Sequence, residues 1–486
     1  MNLLIAFVIL LCLGISEVRD PEIAQHLGQR LTLLTVIALL VPGAAIFQTA
    51  IIGRRCRNQT IDEVARQRIL NRLSISHSAV WLTASLAIVW GLRWPDIVRV
   101  NWHCDRWPLL DDVLILAPIL ISLFFSWAIF YDVKRLLDRT VAGQNVHSEA
   151  YSFRLDLADR FQFVGLRFRV YVLMSLIPIL ATLLVRDAAN LSQKLPEVLQ
   201  NASLIVGSAI VIATFPLLML LAWRHSPIED PKLRDRLFGC CRRLKLGVWT
   251  IRAWHTGSQI INAVVAGIVP GFRVIVISDA MLEQFPPREL LAVVRHEAGH
   301  IRMSHMPIRM FFLLFPLILA AIDQVNGAFI ANTVTQRFES LNFTSTHALV
   351  ACAIAYLAYL LLTVTWLSRQ MEFEADWFSV MSDQTGTTKT ADGETIDQEN
   401  QREDLAIYDG MTLAIARLAA HSPEQFERRT LMHPSLKERM QRTSWLADHR
   451  ISNEQLVWIT TRRVWFIRAT IAIFAMAFLI RTAIFA

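Results

Sequence analysis

Charged side chains are scarce in this chain. Asp, Glu, Lys and Arg together make up 18% of its 486 residues, while 54% are hydrophobic. A water-soluble chain of this length rarely shows that balance, since about a quarter of an ordinary globular sequence is charged. Cysteine is also sparse: Cys12, Cys56, Cys104, Cys240, Cys241 and Cys352 are scattered with no Cys-x-x-Cys pair. That excludes a disulfide framework and a thiolate metal site. Basic residues interleaved with aromatics are missing too, which excludes nucleic acid as a partner, and no internal repeat is evident. The net charge of +7 therefore needs another explanation.

Long apolar runs are what the chain has in place of charge, and its mean hydropathy is +0.40. A bilayer core demands about 20 apolar residues per helical crossing. Runs near that length lie at 31–53, 74–95, 112–131, 169–185, 203–223, 307–323, 346–367 and 464–484, with a shorter one at 2–16. The short one lacks a basic leader and a small-x-small cleavage site, so it is expected to be a retained anchor. About nine spans follow.

Arginine and lysine alternate between the loops. Arg54, Arg55, Arg57, Arg66, Arg68 and Arg72 lie between the second and third spans, and Lys134, Arg135, Arg139, Arg154, Arg160, Arg167 and Arg169 between the fourth and fifth. The intervening loops carry only Arg19 and Arg30; Arg93, Arg99 and Arg106; Arg186 and Lys194; and Arg337. The positive-inside bias puts the basic loops in the cytoplasm, where they meet anionic lipid headgroups. By alternation, 224–305 and 369–463 also fall on that side.

The first of those regions contains His296-Glu297-Ala298-Gly299-His300. On a helix, residues i and i+4 share a face, so His296 and His300 can reach one metal ion while Glu297 leans toward a water on it. Leu290, Leu291, Val293, Val294, Ile301 and Met303 recur at helical spacing, and Glu289 complements the dipole near the start. Val274–Ile277 reads as a strand feeding this helix, with further strands at Val248–Trp254 and around Ile260–Val265. The bare motif also suits a buried helix whose histidines bond backbone groups.

A metal site that performs hydrolysis needs a third protein ligand and one open position. Glu372-Phe373-Glu374-Ala375-Asp376, in the second cytoplasmic region, continues a helix-compatible stretch. Glu372 and Asp376 then share a face and Glu374 points away from both. Glu372 is then the natural ligand, with Asp376 behind it to orient a histidine, although the segment by itself also suits a solvated acidic turn at a membrane exit.

His-Glu-x-x-His followed by an apolar hairpin and Glu-x-x-Ala-Asp resembles the integral-membrane gluzincin family that includes the type I CAAX prenyl endopeptidase and the HtpX heat-shock protease. Asn262-Ala263, Ser278-Asp279-Ala280-Met281-Leu282 and His433-Pro434-Ser435-Leu436-Lys437-Glu438-Arg439 resemble further segments of that family, and the likeness covers roughly residues 245–442. It implies one Zn2+ per chain on His296, His300 and Glu372, with Glu297 as general base. Substrate would add as a strand along Asn262 and Ala263. His433 and Arg439 would stabilise the oxyanion.

The expected fold is mainly α: a polytopic α-helical membrane protein with a cytoplasmic α+β peptidase domain carrying a small sheet. Residues 1–224 form a membrane domain of about six spans, 225–305 and 369–461 the two parts of the peptidase domain, 306–368 a transmembrane hairpin and 462–486 a last span. The polar stretch 382–404 reads as a flexible insert. The expected activity is zinc-dependent cleavage of membrane-associated or misfolded membrane proteins at the cytoplasmic face of a bacterial inner membrane or an equivalent cell membrane. The alternative is a membrane sensor or scaffold whose zinc serves structure or regulation.

Overall fold

The structure is a computed structural model that describes residues 26–56, 61–141, 153–191, 197–312, 358–381, 410–430 and 432–448, with isolated positions 5, 8, 9, 12, 13 and 356. The chain divides into two compact units, Met1–His225 and Ser226–Ala486.

The first unit is built from helices α1 (Leu27–Cys56), α2 (Glu63–Leu86), α3 (Leu110–Val141), α4 (Phe153–Arg167), α5 (Met174–Leu191) and α6 (Glu197–Ala222). Four stretches among the described residues are long and apolar enough to cross a membrane: Leu27–Cys56, Val64–Gly91, Leu110–Thr140 and Leu157–Ala188. A shorter apolar helix covers Val206–Ala222. The expected spans at 2–16, 307–323, 346–367 and 464–484 lie wholly or in large part outside the described residues, as does the insert 382–404.

The helices outrun their apolar windows. Asp62 caps α2, its carboxylate accepting from the Ala65 N–H at 2.6 Å, so the helix starts well before the span expected at 74–95. Arg66, Arg68 and Arg72 consequently sit on a helix and not in a loop. Hydropathy marks the lipid-facing part of a helix, whereas its start is set by whatever satisfies the first N–H groups. Several buried polar groups in this unit are partnered. The Trp81 indole donates to the Ile119 carbonyl at 3.0 Å, and Arg99 donates to Asp111 and Asp112 at 2.7 and 3.1 Å. An uncompensated charge there would be costly.

The second unit holds helix α7 (Pro231–Arg243) and a four-stranded sheet in the order β1-β2-β4-β3, from β1 (His225–Pro227), β2 (Val248–Trp254), β3 (Ala263–Ala266) and β4 (Arg273–Ser278). β2 runs parallel to β4 and β3 antiparallel to it. Val274, Ile275, Val276 and Ile277 are all buried, as a strand covered on both faces must be. Ser278 ends β4 and caps α8 (Asp279–Gln284), accepting from the Met281 N–H. After Pro286, helix α9 (Pro287–Arg302) begins with proline in its first turn, where the missing N–H costs nothing.

α9 is buried on two sides. Leu290, Val293, Val294 and Ala298 join Ile251, Ile275 and Ile277 in one apolar cluster, while Ala292 packs in another with Val380, Met411 and Ile415. These last residues belong to α10 (Thr365–Met381) and α11 (Gly410–His421). Glu289 does more than face the helix dipole: it is buried and receives both Nε and Nη2 of Arg417, on α11, at 2.7 and 2.9 Å. Ser379 ties α10 to α9 by donating to the Ala292 carbonyl at 2.7 Å.

Gly299 sets how closely α9 and α10 approach. A Cβ at this position would stand 2.9 Å from Ala375 Cα and 3.1 Å from Phe378 Cβ. Backbone cannot rotate aside, so Gly299→Ala forces the two helices apart. Overpacking of this kind costs about 1–3 kcal/mol, against about 1 kcal/mol gained in helix propensity. The variant is expected to melt below wild type and to hold metal more weakly. Equal melting and equal metal retention would show that the close approach is not needed.

Candidate functional site

Three donor atoms converge where α9 meets α10. Nε2 of His296 and Nε2 of His300 lie 3.2 Å apart; the first stands 3.6 Å from Oε2 of Glu372 and the second 3.6 Å from its Oε1. Four ligands held tetrahedrally at about 2.0–2.1 Å from an ion put neighbouring donors roughly 3.3–3.4 Å from each other. The nitrogen pair and both nitrogen-to-carboxylate distances are close to that spacing. Two imidazole nitrogens and one carboxylate, all largely withdrawn from solvent, therefore fit a divalent ion with a fourth position left for water or substrate.

The surrounding groups fix these donors. His296 Nδ1 lies 2.9 Å from Asp376 Oδ1, the arrangement that orients a ligating imidazole. Arg439, on helix α12 (Leu436–Asp448), grips the same carboxylate with Nε and Nη2 at 2.8 and 2.7 Å, and its Nη1 lies 3.6 Å from Glu372. His433 Nδ1 lies 3.1 Å from Glu372 Oε2 from the solvent side, its ring just over half exposed. Its position is held locally: Thr430 Oγ1 accepts the His433 N–H at 2.9 Å, and Arg369 of α10 donates to the Thr430 carbonyl at 2.8 Å. Behind it, Ser435 Oγ accepts the Glu438 N–H at 3.2 Å while Glu438 accepts the Ser435 N–H at 3.1 Å. That reciprocal pair is a capping box starting α12, which carries Arg439.

Glu297 stands beside the triangle without belonging to it. Its Oε2 accepts the Val265 N–H at 3.1 Å. Burial raises its pKa to about 7, with the Glu372 carboxylate adding to the effect and His296 and the Val265 N–H opposing it. For His296, burial disfavours the cation, but the Asp376 and Glu372 carboxylates outweigh it and raise the pKa to about 9. His300 is held well below its ordinary range by burial and by His296. Glu372 and Asp376 are lowered despite burial, Glu372 chiefly by His296 and His433, and Asp376 chiefly by Arg439.

The edge of the sheet runs past Glu297. Asn262 accepts the Ser278 N–H at 2.9 Å, so Asn262 bonds inward to β4. In an antiparallel ladder that direction alternates, which turns the backbone groups of Ala263 and Val265 outward. Among the described residues β3 has no strand on its outer side. The outward Val265 N–H is the one that holds Glu297.

His296, Glu297, His300, Glu372, Asp376, His433 and Arg439 are thus brought together, with Ala263 on the bordering strand and Asn262 just before it. Sequence reading missed Val265, whose part is played by its backbone. It also missed His305, 2.8 Å from His300, and the bond from His305 to Glu374 at 3.1 Å. The added histidine and the acid between Glu372 and Asp376 were the available signal.

Residues 241–446 match the model of peptidase family M48. Over 189 residues the chain is 25% identical to a CAAX prenyl protease 1 homolog of Arabidopsis thaliana, a stretch that makes up 37% of this chain and 43% of that protein. The chain thus matches under half of that relative's length. Among solved structures it is similar to S. mikatae Ste24p, with 14% identity, a TM-score of 0.33, and coverage of 84% of this chain and 97% of that one.

Proposed function

We propose that this chain, whose residues 241–446 are a peptidase domain of the membrane metallopeptidase family M48, is a zinc-dependent endopeptidase. It hydrolyses peptide bonds of membrane-associated or misfolded membrane proteins at the cytoplasmic face. The observation that carries this reading is the donor triangle of His296, His300 and Glu372 with Glu297 beside it and outside it.

Zinc held by those three residues would act as a Lewis acid and lower the pKa of a water molecule to about 7. Glu297, buried beside the triangle, would take that water's proton and pass it to the leaving amine. The Val265 N–H keeps its carboxylate aimed while the proton moves. An extended substrate adds to β3, reading the outward backbone of Ala263 and the adjoining Asn262. His433, half exposed beside Glu372, is placed to donate to the oxyanion as charge develops. Arg439 acts through Asp376 and Glu372.

The cytoplasmic setting is supported by the loop charge bias, and the membrane substrate class by the apolar helices preceding the peptidase domain. Full-length chain purified in detergent is expected to carry close to one zinc by elemental analysis and to cleave casein and a destabilised membrane protein. A chain with neither bound zinc nor cleavage of either probe would overturn the assignment in favour of a scaffold.

A further inference from the structure

A ligating histidine usually donates its second ring nitrogen to a carboxylate or carbonyl, which fixes both its tautomer and its orientation. For His296 the carboxylate is adjacent, with Asp376 Oδ1 2.9 Å from its Nδ1. His300 does not. Its Nδ1 lies 2.8 Å from Nδ1 of His305, and His305 Nε2 lies 3.1 Å from Glu374 Oε2.

The protons in this chain of contacts can be placed from its far end. An ionised Glu374 only accepts, so the hydrogen of a neutral His305 belongs on Nε2. Its bare Nδ1 must then accept, which requires the hydrogen of His300 to be on Nδ1. The lone pair of His300 is left on Nε2, the atom in the donor triangle. Any other order puts a hydrogen on His300 Nε2 and removes a ligand.

Local backbone geometry brings the two rings together. In a continuous helix, residues five apart are rotated by about 140°, so His305 would face away from His300. α9 stops at Arg302, and Ser304 takes a left-handed φ of 56°. That turn costs about 1–2 kcal/mol for a residue with a side chain. The next helix starts at 305, its first ring folded back so that the His300 and His305 centroids are 4.9 Å apart. His305 is buried at this junction.

We propose that His305 and Glu374 are positioning residues that hold His300 in its metal-binding tautomer. α10 thereby supplies one ligand, Glu372, and orients both histidines of α9: His296 through Asp376, and His300 through Glu374 and His305. The inference rests on the reading of His296, His300 and Glu372 as a metal site.

The test is zinc affinity of the full-length chain in detergent, measured by competition with a chelator of known affinity. His305→Leu and Glu374→Ala are each expected to weaken zinc binding by about 10–100-fold. The double variant should be no weaker than His305→Leu alone, since both break one relay. His305→Asn places an amide oxygen near the former Nδ1 and accepts from His300 without help, so it should bind zinc nearly as wild type does. Adding Glu374→Ala to His305→Asn should then change nothing. Zinc affinity unaltered in His305→Leu, or losses that add in the double variant, would overturn the relay. Melting of the chelator-treated chains separates misfolding from misorientation: a purely packing role lowers it in His305→Leu and His305→Asn alike and leaves Glu374→Ala without effect on zinc. Wild type that binds no zinc would overturn the metal site and this inference with it.

Discussion

Glu297→Gln is expected to retain its zinc and to lose cleavage by about 10²–10⁴-fold, the range a positioned general base contributes. Glutamine keeps the shape of the side chain, and its amide oxygen can still accept the Val265 N–H that holds Glu297 Oε2 at 3.1 Å. It cannot accept a proton. Glu297 is not one of the three convergent donors, so the ion should be bound as in wild type. Removing a buried carboxylate next to Glu372 also relieves like-charge repulsion, so the folded domain should not be weakened. The measurement is zinc content beside cleavage of casein and of a membrane-protein probe. An active Glu297→Gln chain would end the general-base assignment. An inactive chain that keeps its zinc should instead hold substrate, and peptides captured on it in membranes would identify what the enzyme cuts.

How much of this site could be read from sequence depends on how local each relation is. His296, Glu297 and His300 needed only the helical period, and Val274–Ile277 announced the buried strand before them by a β-branched run. Glu372 and Asp376 also followed from spacing on one helix. The period correctly turned Glu374 away from both, but it could not show that a residue from another segment waits on that side. His305 was hidden by Ser304, because nothing in a serine announces a left-handed turn where glycine is the usual signal. Val265 was hidden for a different reason: its contribution is an N–H that every residue but proline carries, and only the register of β3 on β4 selects it. In the membrane unit, apolar runs at 31–53, 74–95, 112–131 and 169–185 fell on helices, yet their ends were set by polar features such as the Asp62 cap, which hydropathy does not weigh.

Arg439 is where spacing and geometry point to different experiments. The late motif implied a guanidinium near the oxyanion. In the structure two of its nitrogens are committed to Asp376, and both side chains are buried. Arg439→Met removes one partner of a buried ion pair, a change that costs about 3–5 kcal/mol because the other charge is stranded. Asp376 can respond by taking up a proton. It would then present a donor to His296 Nδ1, now 2.9 Å away, and drive the imidazole hydrogen onto Nε2, where it blocks ligation. Arg439→Met is therefore expected to melt well below wild type and to lose zinc affinity by about 10–100-fold. Adding Asp376→Asn removes the stranded charge and restores an acceptor for His296, so the double variant should regain much of both. A group serving mainly the oxyanion would behave otherwise: kcat would fall while melting temperature and zinc affinity stayed at wild-type values, and Asp376→Asn would rescue nothing. Zinc competition and thermal melting on the four chains distinguish the two roles, because only the ion-pair role makes the loss depend on the charge of Asp376.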